Sequence, residues 1–398
     1  MIEEPMRSNA GSVAPRMSRQ LNQWGYILVI SISALSVGLT IATLLQRQKV
    51  RSEEGSAAIV RVASELAREG RLLTLQHQFA AAVPKLTAAN TLKRGDRGTL
   101  YFLAEAQRAV GASESALDAV RELLALHPQD ADAHNLLGVI YLDRKDYDLA
   151  LEELRAAIRL KPTYADALGN LANTYLHIAE DRNDKALFQQ AESYAKRAIE
   201  VDDTKVNYHI ALAWAYQGQG NFQQAIDVYT SAAVREPTNS NIFNNMARTY
   251  LAMQKLAPAL AAADRAIALD QRNVAAYFNR SDILRTMGRS AEAVNAYERA
   301  IRLDPNRLGV YINLYSLYSK LSQPGKALGS LVRGLAVAPE HPEMNLFLAG
   351  ALKKEGYNSE ARSHAERALL GDPSLRSRGS EHELWRIGIK AATENGRG

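Results

Sequence analysis

From residue 97 onward the apolar positions recur on two superimposed periods. Locally they fall three and four residues apart, the mark of helices with one buried face. Those helices come in pairs, and the pairs repeat every 34 residues. Ala116, Ala150, Ala191, Ala225, Ala259, Ala293, Ala327 and Ala361 set the register: neighbours are 34 apart, except Ala150 and Ala191, which are 41 apart. A fixed period of this length predicts a stacked solenoid, in which each hairpin packs on its neighbours and no single core has to grow. Eight units follow, at 97–130, 131–164, 165–205, 206–239, 240–273, 274–307, 308–341 and 342–375.

Each recurring residue type has a physical reason. The eighth position is small in seven units, as Ala104, Gly138, Ala172, Ala213, Ala247, Ser281 and Ala349, and the twentieth is always Ala. Small side chains there let the two helices of a hairpin approach closely. Tyr141, Tyr175, Tyr216, Tyr250 and Tyr318 fill the eleventh position, where a ring bridges adjacent layers. Gly111, Gly220, Gly288 and Gly356 fall at the fifteenth, between the helices, and accept the left-handed conformation that closes a helix. Pro128, Pro162, Pro237, Pro305, Pro339 and Pro373 end the second helix. Arg280 departs from the Leu or Met of its position, and Tyr315 from the small eighth residue. The third unit has seven extra residues near 179–190, with Asp184 placed to cap a lengthened second helix. A longer hairpin and a protruding contact element both fit that insertion.

The flanks differ. Residues 1–23 form a polar tail with Arg7, Arg16 and Arg19. The 22 residues 24–45, Trp24 through Leu45, contain no Asp, Glu, Lys, Arg or His. As a helix they would span roughly 33 Å, enough for a bilayer core, with Trp24 and Tyr26 at the interface. The stretch is long for a signal peptide and ends in Leu44-Leu45-Gln46, without a small-residue cleavage site. The expectation is one transmembrane helix. Arg47, Lys49, Arg51 and Arg61 after it nearly balance the arginines before it, so the positive-inside rule is almost tied. A long following domain crosses largely regardless of charge, which favours the N-terminus inside and the repeats outside the cytoplasm of a bacterial inner membrane. Residues 46–96 hold a linker and a degenerate opening unit: Ile59, Val62, Ala63 and Leu66 share one face, and Phe79, Ala82, Leu86 and Ala89 echo a second helix. Residues 376–398 hold a capping helix and tail, with Leu384, Trp385, Ile387 and Ile389 available to cover the last apolar face.

Composition narrows the chemistry. Apolar residues at 47% and charged residues at 23% suit a folded chain. The net charge of +5 is mildly basic, with no basic run interleaved with aromatics, so nucleic acid is not an expected partner. The absence of Cys excludes disulfides, thiolate catalysis and cysteine zinc sites. The eight His are scattered, none in a His-Glu-x-x-His spacing, and there is no phosphate-binding loop or Gly-x-Ser-x-Gly elbow. The expectation is a protein that is not an enzyme and holds no metal or cofactor.

Across 97–375 the pattern resembles the tetratricopeptide repeat family, best seen in the second unit, ADAHNLLGVIYLDRKDYDLALEELRAAIRLKPTY. The resemblance implies an all-α fold, a right-handed α-solenoid of helix-turn-helix repeats. It also implies that the first helix of each unit lines a concave groove, with its fifth, sixth and ninth positions facing in. At the sixth position stand Asn170, Asn245, Asn279 and Asn313, with Phe102, Leu136, Ala211 and Phe347 in the other units. An amide donates and accepts, so a row of them can pair with the backbone of an extended peptide. The row is similar to the asparagine ladder of O-linked N-acetylglucosamine transferases. Solubility or bonding between helices is the other role open to these residues. Beside them lie Arg248, Phe278, Asp282, Arg285, Ile312 and Ser316, a mixture that suits a polypeptide better than a uniformly anionic ligand. The Lys-and-Asn carboxylate clamp of chaperone-binding members is absent: Asn173 has the ninth-position Asn, but Gly169 stands at the fifth position.

These readings converge on a membrane-anchored scaffold that binds partner proteins in its groove, in the assembly of an envelope, secretion or polysaccharide-export complex. A self-associating, homo-oligomeric framework and a non-catalytic glycan-recognising companion of an enzyme are the alternatives.

Overall fold

Helix pairs joined by one tight turn build every part of the computed structural model that is described, residues 53–375. Segment 24–45 and the capping helix expected within 376–398 lie outside these residues. Eighteen helices are described, paired as hairpins. The opening pair is α1 (Glu53–Leu75) and α2 (Phe79–Leu92). Then come α3 (Arg97–Ala109) with α4 (Ser113–Leu126), α5 (Ala131–Asp143) with α6 (Tyr147–Leu160), and α7 (Ala165–Arg182) with α8 (Lys185–Val201). They are followed by α9 (Val206–Gln219) with α10 (Phe222–Arg235), α11 (Ser240–Ala252) with α12 (Leu256–Leu269), and α13 (Val274–Thr286) with α14 (Ser290–Leu303). The last pairs are α15 (Gly309–Lys320) with α16 (Pro324–Val337) and α17 (Pro342–Lys354) with α18 (Asn358–Gly371). Among the described residues no helix is long and apolar enough to cross a membrane.

The turn between paired helices always takes one left-handed residue. Gly111, Gly220, Gly288 and Gly356 supply it in four hairpins, with φ between 77° and 88°. His77, Lys145, Asn183, Gln254 and Ser322 supply it in the others, with φ between 50° and 64°. An L-residue in that region costs about 1–2 kcal/mol, so helix packing, not local preference, sets these turns. His77 lies 34 residues before Gly111, and Gly70 lies 34 before Ala104, so the opening hairpin shares the register of the rest. Its close approach is the same as in the second unit: a Cβ on Gly70 would lie 2.5 Å from Leu86 Cγ, and one on Gly138 2.6 Å from Leu154 Cγ. The eight register alanines are all buried.

Helices α3, α5, α11, α13 and α17 are capped by the side chain of the residue before them. Asp96 accepts the N–H of Thr99 at 2.9 Å, Asn273 that of Ala276 at 3.0 Å, and Asp130 those of Asp132 and Ala133. Asp130 also receives Arg97 Nε at 2.6 Å and Nη2 at 2.9 Å. The extra residues of the third unit lengthen both of its helices, to 18 and 17 residues, and Asp184 accepts the N–H of Ala186 at 2.8 Å.

The described chain forms two compact units. The first runs to Arg182 and takes in Ser193–Asp202; the second comprises Asn183–Glu192 and the residues from Asp203 onward. In the first unit α1 packs on α3, α3 on α5 and α5 on α7; in the second, α9 packs on α11 and α11 on α13. Among the described residues no pair of second helices packs comparably. First helices therefore form the tighter row over α1–α7 and α9–α13.

Candidate functional site

The inner row of the second unit brings together all but one of the residues singled out above. Helix α11 contributes Asn245 and Arg248, α13 contributes Phe278, Asn279, Asp282 and Arg285, and α15 contributes Asn313 and Ser316. Asn170 lies on α7 in the first unit, where its Nδ2 donates to Asn135 Oδ1 at 2.9 Å.

Asn279 and Asn313 are bonded across hairpins. Asn279 Nδ2 donates to Asn244 Oδ1 at 2.8 Å, and Asn244 Nδ2 reaches Asn245 Oδ1 at 3.4 Å. Asn313 Nδ2 donates to the Tyr297 hydroxyl at 3.1 Å, which donates to Asp282 Oδ1 at 2.6 Å. Arg285 Nη2 donates to the same Asp282 oxygen at 3.2 Å. Burial first, and the bond to Asp282 second, push the Tyr297 phenol up from its ordinary value, so it remains a donor at neutral pH. Burial works against the charge of Arg285, but the bonds and charges of Asp282 and Tyr297 together outweigh this and the guanidinium is held up. These bonds use the N–H side of Asn279 and Asn313; among the described residues nothing donates to either Oδ1, and each amide has a carbonyl to offer.

Aromatic faces sit among these amides. Phe278 meets Tyr297 edge-on, with centroids 5.9 Å apart, and the Arg307 guanidinium lies 6.0 Å from the Phe278 centroid. Arg248 lies 5.8 Å from the Trp214 centroid and donates to Gln217 Oε1 at 3.3 Å. Ser316 is exposed. The row stops at α17, where Leu346, Phe347 and Gly350 are all buried.

The inner row of the first unit has another character. Burial, then the charges of Glu105, Asp132 and Asp166, push the Tyr101 phenol up to about 12. Burial also raises the Glu105 carboxyl. A hollow of about 710 Å³ nearby is lined by residues of the links between hairpins, among them His127, Pro128, Gln129 and Lys161, and is open to solvent.

Several histidines have structural partners. His134 Nδ1 lies 2.6 Å from Glu153, His209 Nε2 lies 2.9 Å from Asp203, His341 caps α17, and His364 Nδ1 lies 2.8 Å from Asn345 Oδ1. Among the described residues no three His, Asp or Glu side chains converge as a metal site requires.

Three members of the network escape a reading by position: Asn135, Asn244 and Tyr297. Asn135 and Asn244 precede their partners by 35 residues, one unit plus one, so a comparison of equivalent positions passes over them. Tyr297 stands where Leu154 and Leu331 stand in other units, at a core position.

Tetratricopeptide repeat profiles match residues 101–165, 216–279 and 274–307. The hairpins within those spans are tetratricopeptide repeats. The formate-dependent nitrite reductase complex subunit NrfG of Escherichia coli O157:H7 is 25% identical over 146 residues, 37% of this chain and 70% of that protein. Tetratricopeptide repeat protein 14 of Mus musculus is 27% identical over 130 residues, 32% of this chain and 16% of that protein. A crystal structure of a tetratricopeptide repeat protein from Parabacteroides merdae superposes with a TM-score of 0.52 at 16% identity, covering 67% of this chain and 99% of the other. At that identity the likeness shows the fold alone.

Proposed function

We propose that the protein is a membrane-tethered scaffold that holds an extended segment of a partner protein along the inner row of its second unit. The observation that carries this reading is the line of amides on α11, α13 and α15, of which Asn279 and Asn313 are fixed by bonds between hairpins and Asn245 by its neighbour Asn244. Such fixing removes rotamer freedom before binding, so the carbonyls of Asn279 and Asn313 pair with backbone N–H groups at lower entropic cost. Each bond contributes only about 0.5–1.5 kcal/mol, so a segment must engage several hairpins at once.

Residues 24–45 supply the tether, in the bacterial inner membrane with the repeats on the extracytoplasmic side. Confinement to a surface raises the effective concentration toward other membrane components. The likeness to a protein named as a complex subunit supports a place in a multi-protein assembly, for which envelope biogenesis, secretion or polysaccharide export are the settings proposed.

The test is co-purification from detergent-solubilised membranes. The combined variant Asn245→Ala, Asn279→Ala, Asn313→Ala is expected to lose the partner while a thermal melt shows it still folded. Unchanged capture by a folded triple variant overturns the reading. Protease accessibility in intact cells tests the orientation.

A further inference from the structure

Position twenty-six of the repeat lies on the second helix, away from the inner row. In four successive hairpins of the second unit it carries Arg265, Arg299, Arg333 and Arg367, and all four are exposed. Three of them lie over a ring on the first helix of their own hairpin. Arg265 is 5.7 Å from the Phe243 centroid, Arg299 is 5.9 Å from that of Tyr277, and Arg333 is 5.8 Å from that of Tyr311. Arg367 continues the register on α18, three residues after His364. An arginine laid on an aromatic face is held in place with N–H groups still available, and its planar fork matches a carboxylate.

The chain itself fills one fork. Glu298, at position twenty-five of the hairpin before, receives Arg333 through both oxygens, at 3.1 Å from Nη1 and 3.0 Å from Nη2. The equivalent residue before Arg265 is Thr230, and before Arg367 it is Val332. Before Arg299 it is Asp264, which pairs instead with Arg280 at 2.6 Å. Among the described residues no carboxylate lies within ion-pair distance of Arg265, Arg299 or Arg367. The Glu298 carboxylate shows what chemistry the remaining forks accept.

We infer that this row is a docking surface for an acidic polypeptide segment, whose Asp or Glu side chains enter the forks of Arg265, Arg299 and Arg367. A uniformly charged phosphate backbone or an anionic bilayer fits less well. Asp264, Glu298 and Glu366 stand along the same helices and would repel it, whereas exposed Val332 and Leu370 offer the apolar contacts of a mixed protein surface. The surface is distinct from the inner row and does not depend on what that row holds.

The experiment is fluorescence anisotropy of a labelled synthetic peptide, in which Glu residues are spaced by Leu, Ala and Ser, with the full chain in uncharged detergent at low salt. Binding is expected, and Arg265→Gln, Arg299→Gln, Arg367→Gln together weaken it about tenfold or more through loss of charge-assisted bonds. Glu298→Gln opens a fourth fork and tightens binding, a gain that a misfolded variant does not give. The exposed arginines off the row serve as controls: Arg272→Gln with Arg302→Gln changes binding by less than about twofold. The Asn245, Asn279 and Asn313 triple variant binds normally, which separates this surface from the inner row. Absence of binding, equal losses from the row and control sets, or weaker binding by Glu298→Gln overturns the proposal. So does tighter binding of duplex DNA or phosphatidylserine vesicles through the same arginines.

Discussion

The two units repeat one hairpin but join neighbouring copies with different chemistry. In the first, charge does much of the bridging: Arg97 holds Asp130 and Asp132 of the next hairpin, and Arg108 holds Asp143 at 2.8 Å. In the second, amides and phenols bridge along the inner row, as Asn279 to Asn244, Asn273 to Ser240 at 2.8 Å, and Asn313 to Tyr297, and a charge pair, Arg333 with Glu298, joins the second helices. The small, turn and stop residues define the hairpin, and this polar layer between hairpins is free to vary. The first unit thereby acquires an acidic, aromatic inner row, and the second a row of neutral hydrogen-bonding groups suited to a peptide backbone. The contrast also predicts different sensitivity to acid.

The largest expected effect tests whether the units are separable. Gly138→Val forces a side chain into Leu154, and overpacking of this kind costs about 1–3 kcal/mol or more. Hydrogen exchange should rise in α5 and α6 while α11 to α14 keep their protection. An equal loss in both units would remove the basis for treating them apart. Tyr297→Phe is the converse change in the second unit. It removes two hydrogen bonds and leaves a carboxylate less well satisfied, for a loss of about 1–3 kcal/mol read by denaturant unfolding. A change below a few tenths would mean that the amide-and-phenol layer is not structural.

Asp130→Ala sharpens the acid comparison. Losing the cap costs about 0.5–2 kcal/mol at neutral pH. Burial opposes ionisation of Asp130, but Arg97 and the N–H groups of Ala133 and Asp132 outweigh it, so its folded pKa lies below the ordinary 3.8. The stabilisation is therefore complete above that value and fades as pH falls through it toward the lower folded value. Melting temperatures of the parent and Asp130→Ala should converge at the acid end of that window; a constant gap would contradict the assignment. The smallest effect is a gain. Gln107 holds the eleventh position, where five hairpins carry Tyr, and its Oε1 is buried without a hydrogen-bond partner. Gln107→Met should stabilise the first unit by up to about 1 kcal/mol, visible as a higher melting temperature.

The hairpin architecture was legible because its determinants are residues of one kind at one spacing. Ala116 and its seven counterparts, the turn glycines and the stop prolines need no knowledge of the third dimension. The left-handed turns at Lys145, Asn183, Gln254 and Ser322 are not written in residue type, because packing of the paired helices imposes them. The inner row was legible as far as equivalent positions reach, which brought out Asn245, Asn279 and Asn313. Their partners were not, because a bond between hairpins joins unlike positions, as Asn279 to Asn244 and Asn313 to Tyr297 show. The arginine row at position twenty-six carries no mark in residue type either: a periodic surface charge looks like solubility, and only the grip of Arg333 on Glu298 shows more.

Site-specific photo-crosslinking in native membranes tests the central claim most directly. A photoreactive residue at Ser316, exposed on the inner row, is compared with one at Gly329, which has open space around it on second helix α16. A discrete protein adduct is expected from Ser316, and it disappears with Asn245→Ala, Asn279→Ala and Asn313→Ala. No adduct from Ser316, or one indifferent to those three changes, would contradict that claim.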